Sequence, residues 1–217
     1  MIQRLIAEFL GTAALLIVIV GSGIMGESLS NGNAGIALLA NSIATGAGLY
    51  ALIQTFGPIS GAHFNPAVSL AELLWKRMTP KEFAGYSLSQ ICGGFIGVVT
   101  THFIFGQALI QISSRDRGEL RFFVSEFIAT FGLVLVIALS GRRNVNTTPA
   151  AVALFITSAY WCTSSTSFAN PAVTIARSFT NTFTGIQLSG APAFITAQFG
   201  GAILAAYGSR FFIKTKT

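Results

Sequence analysis

Two short stretches of this chain read as helices that start at mid-membrane and stop at its edge. In residues 61–75, Gly-Ala-His-Phe-Asn-Pro-Ala-Val-Ser-Leu-Ala-Glu-Leu-Leu-Trp, Asn65 is a preferred N-cap residue and Pro66 holds the first helical position, where its missing N–H costs nothing. The helix so begun has about ten residues before Lys76 and Arg77, roughly 15 Å, or half of a ~30 Å hydrocarbon core. Residues 167–180, Ser-Phe-Ala-Asn-Pro-Ala-Val-Thr-Ile-Ala-Arg-Ser-Phe-Thr, repeat the grammar with Asn170 and Pro171. Two half-spans make one full span.

Half-spans require a membrane, and the composition supplies one. The 217 residues are 52% hydrophobic and 9% charged, against about 25% charged for soluble domains. An all-α membrane protein follows, organised as one transmembrane domain over 1–217 with no linker or appended soluble domain. Residues 5–25 are too long for a signal-peptide core and carry Glu8, so they read as a retained span. The net charge of +6 is spread over short loops and does not cluster with aromatics, which favours a lipid bilayer as partner and excludes nucleic acid. Cys92 and Cys162 lie in apolar segments without ligand spacing and are expected to be buried packing residues. No cofactor and no metal site is expected.

Spans are placed at 4–25, 35–56, 83–105, 120–139, 150–165 and 191–213, joined by a turn at 26–33, a polar loop at 107–119 and a basic loop at 141–146. An even number of spans puts both termini on one side. Arg4, Lys76, Arg77, Lys81, Arg142, Arg143, Arg210, Lys214 and Lys216, nine of the thirteen basic residues, share one face, which is therefore expected to be cytoplasmic in a plasma (bacterial inner) membrane. Arg115, Arg117 and Arg121 fall opposite, partly balanced by Asp116 and Glu119.

The chain also repeats itself. Leu5-Ile-Ala-Glu-Phe-Leu-Gly-Thr12 matches Phe123-Val-Ser-Glu-Phe-Ile-Ala-Thr130; the Asn-Pro-Ala-Val units match; and Gln90 with Gly93 and Gly94 matches Gln198 with Gly200 and Gly201. The repeats cover about 1–107 and 119–217. Each holds an odd number of spans, so the second enters from the opposite side, giving inverted repeats. The two half-helices then point their N-termini at each other.

Through its two Asn-Pro-Ala motifs, the preceding Ser60-Gly-Ala-His-Phe64 and a glutamate in the first span of each half, the chain resembles the aquaporin, or major intrinsic protein, family over essentially its whole length. The resemblance implies six transmembrane helices plus two half-helices, and a homotetramer in which each protomer has its own pore for small neutral solutes.

The pore centre can be argued from physics. Each helix N-terminus carries about half a positive charge and unsatisfied N–H donors, so two converging at low dielectric repel cations and protons. Asn65 and Asn170, with Pro66, Ala67, Pro171 and Ala172 behind them, are expected to use their side-chain oxygens as caps and turn an NH₂ toward passing hydroxyls. Glu8 and Glu126, expensive in apolar spans, are expected to hold the N–H groups of the segments leading into the half-helices, with Gln90 and Gln198 as structural support. The paired glycines, with Gly97, serve close helix packing.

By the family's spacing, the outer selectivity constriction falls on Thr45, Ser158, Ser167 and Val173. The resemblance puts an aromatic, a histidine and an arginine at three of those places in water-selective members, so this gate is expected to be wider and lined by hydroxyls. The pattern looks like a bacterial branch associated with arsenite and related neutral metalloid species. Arg177, one turn beyond Val173, is expected to snorkel to the outer interface, the alternative being that it refills the gate. Glu72 is its counterpart and is expected to be an interfacial charge. His63 and His102 are expected to be packed or hydrogen-bonded. A passive channel for water, glycerol-like polyols and other neutral hydroxylated solutes is the first reading, with a strictly water-selective pore as its variant. A secondary transporter comes second. No nucleophile with a base, carboxylate pair or phosphate loop points to an enzyme.

Overall fold

The computed structural model describes residues 1–141 and 147–212, and these form helices joined by turns and loops, with no strand among them. In chain order they are α1 (Ile2–Leu29), α2 (Ala34–Ser60), α3 (Pro66–Leu74), α4 (Pro80–Ile104), α5 (Leu120–Ser140), α6 (Thr148–Cys162), α7 (Pro171–Arg177) and α8 (Ala191–Phe212). Six helices and two half-helices thus follow one another in the expected order among the described residues. Of these, α1, α2, α4 and α5 are each long and apolar enough to cross a bilayer. Helix α6 is apolar but only 15 residues long, while α8 has 22 residues diluted by glycine, serine and Arg210.

Several boundaries differ from the sequence expectation, each for a local reason. Helix α1 continues through Gly26 to Leu29, with the hydroxyls of Ser28 and Ser30 bonding back to the carbonyls of Met25 and Glu27. Helix α2 runs through Pro58 and stops at Gly61, whose φ of 89° closes the last turn by an N–H bond to the Gly57 carbonyl. Helix α6 stops early, at Cys162, because Thr163 turns extended to begin the entry into α7. The basic loop, with Arg142 and Arg143, and the last residues, with Lys214 and Lys216, lie outside the described residues.

The packing repeats between halves. Helix α1 lies along α4 as α5 lies along α8, and α3 docks on α8 as α7 docks on α4. A Cβ on Gly93 would lie 2.3 Å from the Phe9 carbonyl oxygen, and one on Gly201 would lie 2.4 Å from that of Phe127. Phe9 and Phe127 follow Glu8 and Glu126, so the true partner of Gly93 is Gly201, three residues beyond its glutamine, whereas Gly200 only meets the Phe127 ring at 3.3 Å. Gly97 extends the same contact, its Cβ position lying 2.4 Å from the Ala13 carbonyl oxygen.

The charge distribution is sided. Arg4 pairs with Glu82 at 2.9 Å beside the start of α4, and Arg210 donates to the Leu74 carbonyl at the end of α3, so the ends of α1 and α8 share the face that carries Lys76 and Arg77. One sequence expectation is corrected here: Cys92 and Cys162 are exposed rather than buried. An apolar segment of a membrane helix has an outward face as greasy as its inward one, so apolarity does not tell the two apart.

Candidate functional site

The two half-helices meet through their caps. Asn65 Oδ1 accepts the Ala67 N–H at 2.9 Å, and Asn170 Oδ1 accepts those of Ala172 at 3.0 Å and Val173 at 3.3 Å. Each amide then crosses to the other half: Asn65 Nδ2 donates to the Ala169 carbonyl and Asn170 Nδ2 to the Phe64 carbonyl, both at 2.8 Å. One N–H of each amide is consumed in this cross-lock and the other is left for the lumen. Pro66, Ala67, Pro171 and Ala172 are buried behind the caps as the first residues of α3 and α7.

The segments feeding the caps are held in an unfavourable backbone. Ala62 and Phe64 have φ of 51° and 49°, and Ser167 and Ala169, at the same offsets before Asn170, have 49° and 47°. Left-handed conformations cost a non-glycine residue about 1–2 kcal/mol each. The buried carboxylates offset that cost. Glu8 accepts the N–H groups of His63 at 3.0 Å and Phe64 at 2.7 Å, the Ser60 hydroxyl at 2.6 Å and Gln90 Nε2 at 2.8 Å. Glu126 accepts those of Phe168 at 2.9 Å and Ala169 at 2.8 Å, with Gln198 Nε2 at 2.6 Å. Both glutamates have zero exposure.

Around the caps runs a cavity of about 270 Å³. Leu15, Ile19, Leu49, Ile53, Leu133 and Val152 make its walls apolar, and Asn65 and Asn170 supply polar contacts at its middle. Apolar walls with few polar stations suit solutes that must shed water and keep moving.

Of the four residues expected at an outer constriction, Thr45, Ser167 and Val173 line this cavity. Ser158 does not; it is exposed and bonds back to the Phe155 carbonyl at 2.8 Å. Its neighbours Ile156 and Tyr160 face inward instead, and the Tyr160 hydroxyl meets Thr45 Oγ1 at 3.2 Å. Positions two apart on a helix point to nearly opposite sides, so a shift of the inward face by two residues turns Ser158 outward.

Arg177 overturns its expected interfacial position. It is 2% exposed, lines the cavity, donates through Nε to the Thr184 carbonyl and lays its guanidinium 3.3 Å from the Phe168 ring centroid. Arg117 joins the same ring at 5.1 Å and bonds the carbonyls of Gly185 and Ser165. Burial pushes the Arg117 guanidinium down to about 10, so it stays charged at neutral pH. Tyr160, Phe168 and Arg117 were missed in the sequence; an arginine in a loop facing the half-helix entry was the available signal.

Glu72 also lines the cavity, with its side chain 16% exposed and 3.4 Å from Arg77, and is therefore a mouth residue rather than a purely interfacial charge. His63 lines the cavity too, its Nδ1 at 3.0 Å from the Ser69 hydroxyl. His102 lies between the Leu109 carbonyl and the Thr180 hydroxyl.

Comparison with known proteins agrees with this geometry. The profile of the major intrinsic protein family matches residues 1–169. Aquaglyceroporin AqpS of Rhizobium meliloti (strain 1021) is 46% identical over 203 residues, covering 94% of this chain and 87% of that protein. Nodulin-26 of Glycine max is 33% identical over 138 residues, 63% of this chain and 50% of its own length. In three dimensions the chain is similar to the aquaglyceroporin from Plasmodium falciparum, with a TM-score of 0.78 at 19% identity, covering 99% of this chain and 96% of that one. With inverted half-helices, crossed asparagine caps and a family profile matched over most of its length, the chain belongs to the major intrinsic protein family and is a membrane channel, not an enzyme.

Proposed function

We propose that this chain is a passive channel for water and small uncharged hydroxylated solutes, with glycerol-like polyols as the reference substrates and neutral arsenous acid in the same chemical class. The observation that carries the reading is the lining of the cavity, apolar except for separated donors and acceptors. The relative with 46% identity bears the name aquaglyceroporin. Ser167 Oγ is buried and has no hydrogen-bond partner among the described residues, which leaves it free for a solute hydroxyl. The positive tips of α3 and α7, together with Arg177, oppose cations and protons. Homotetrameric assembly in the plasma (bacterial inner) membrane, with both termini and the Lys76/Arg77 face cytoplasmic, belongs to the same proposal.

Stopped-flow light scattering on reconstituted vesicles tests it, with water, glycerol and arsenous acid run side by side. The expected result is fast flux of all three; water without glycerol removes the polyol assignment. A strictly water-selective pore is the second reading, favoured by the Arg177 guanidinium in the lumen and by the Tyr160–Thr45 contact narrowing the same end. Saturable, gradient-coupled flux would instead identify a transporter.

A further inference from the structure

The described features that exclude cations do nothing against anions. The N-termini of α3 and α7 are positive at the centre of the cavity, and Arg177 adds a full charge toward the mouth where α7 ends. An anion entering past Arg177 meets attraction as far as the asparagines. The carboxylates of Glu8 and Glu126 lie behind the entry segments with their oxygens already bonded, and neither lines the cavity. Glu72 is the acidic side chain among the described lining residues.

Its position is the inverted counterpart of Arg177. Glu72 stands seven residues beyond Asn65 as Arg177 stands seven beyond Asn170, so each lies about 10 Å from its cap, in opposite directions along the path. Arg177 complements the negative C-terminal end of α7, whereas Glu72 sits against the same end of α3, where the helix disfavours it. Its partner Arg77 is 58% exposed and 3.4 Å away, so solvent screens Arg77 more than it screens Glu72.

We propose that Glu72 is the anion barrier of this channel, a specificity residue at the mouth where α3 ends. A solute anion drawn in by Arg177 and the central dipoles is stopped by a carboxylate it must pass to leave, while a neutral hydroxylated solute finds there only one more acceptor. The inference rests on the neutral-solute channel reading, and separate measurements test the two.

Vesicles carrying the protein are given a hyperosmotic potassium nitrate gradient with valinomycin present to balance charge, and nitrate entry is read from the reswelling that follows the initial shrinkage. Water and glycerol fluxes, measured on the same preparations by light scattering, test the channel reading alone. Removing one partly screened charge should raise nitrate entry roughly tenfold in both Glu72→Gln and Glu72→Ala, with water flux retained. Glu72→Asp should keep the barrier. The contrast should shrink near 1 M salt, where screening reaches about 3 Å. Nitrate entry equal to wild type in whichever of the two neutral variants still conducts water overturns the proposal, and so does equal nitrate entry in Glu72→Asp and Glu72→Gln.

Discussion

Arg177 reaches the lumen because a helical side chain leans toward the N-terminus of its own helix, so a residue one turn beyond Val173 covers surface close to Val173. Snorkelling would release the charge to water, but the Thr184 carbonyl and the Phe168 face hold it inward. Arg177→Ala should therefore raise the glycerol-to-water flux ratio by roughly tenfold, the scale of one specificity contact, and let small cations leak, both read from vesicle flux. A ratio unchanged from wild type would leave Arg177 as packing only. The carboxylates invite a second comparison. Glu126→Ala strips the Phe168 and Ala169 N–H groups and Gln198 of their buried acceptor, and should cost about 3–5 kcal/mol in thermal unfolding in detergent. Glu27→Ala removes a pair whose side chains are 50% and 43% exposed and should cost under about 1 kcal/mol. The caps and the glutamates were legible because each is a residue type whose chemistry demands one arrangement. Three of the four residues expected at an outer constriction reach the cavity, and Ser158 does not, since counting from Asn170 cannot register that α6 ends at Cys162 and turns Tyr160, not Ser158, inward.

At the scale of elements, the fit between helices is set by a few positions where a carbonyl of one helix fills the space a Cβ would take. Two glycines of α8 provide an internal comparison. Gly201 is closed by the Phe127 carbonyl at 2.4 Å, and Gly208 has nothing within 4 Å. Gly201→Ala should destabilise the protein by about 1–3 kcal/mol through separation of α5 from α8. Gly208→Ala, made in the same helix, should be neutral or stabilise by up to about 1 kcal/mol, because only helix propensity changes. Equal melting shifts for the two would refute the close-packing account. Helix existence was readable from apolar runs and from the Asn-Pro starts. Helix ends were less so, because Ser28 and Ser30 can extend α1 as easily as break it. The burial of Cys92 and Cys162 was misread because an apolar face toward lipid and one toward the core have the same composition.

For the whole molecule, the inverted repeat makes the two halves of the path alike in backbone and unlike in charge. Equivalent offsets from Asn65 and Asn170 place left-handed residues at 62, 64, 167 and 169, yet place a carboxylate at one mouth and a guanidinium at the other. The symmetry could be read from the repeated Glu8 and Glu126 segments, and the opposed charges from the matching offsets of Glu72 and Arg177; only the fold shows both charges in one cavity. That asymmetry permits no rectification of a neutral solute. A passive pore has no coupled energy source, so the free energy of a glycerol molecule inside it is independent of the side from which it entered, whatever the two mouths carry. Glycerol permeability should therefore be equal for influx and efflux in vesicles with the protein in one orientation, and should stay constant as the gradient rises. A transporter built from the same inverted repeat must instead carry its substrate through a conformational cycle. Flux that saturates, or tracer glycerol driven uphill by counterflow, would assign the chain to that class and leave the crossed asparagines as a substrate site rather than a stretch of open path.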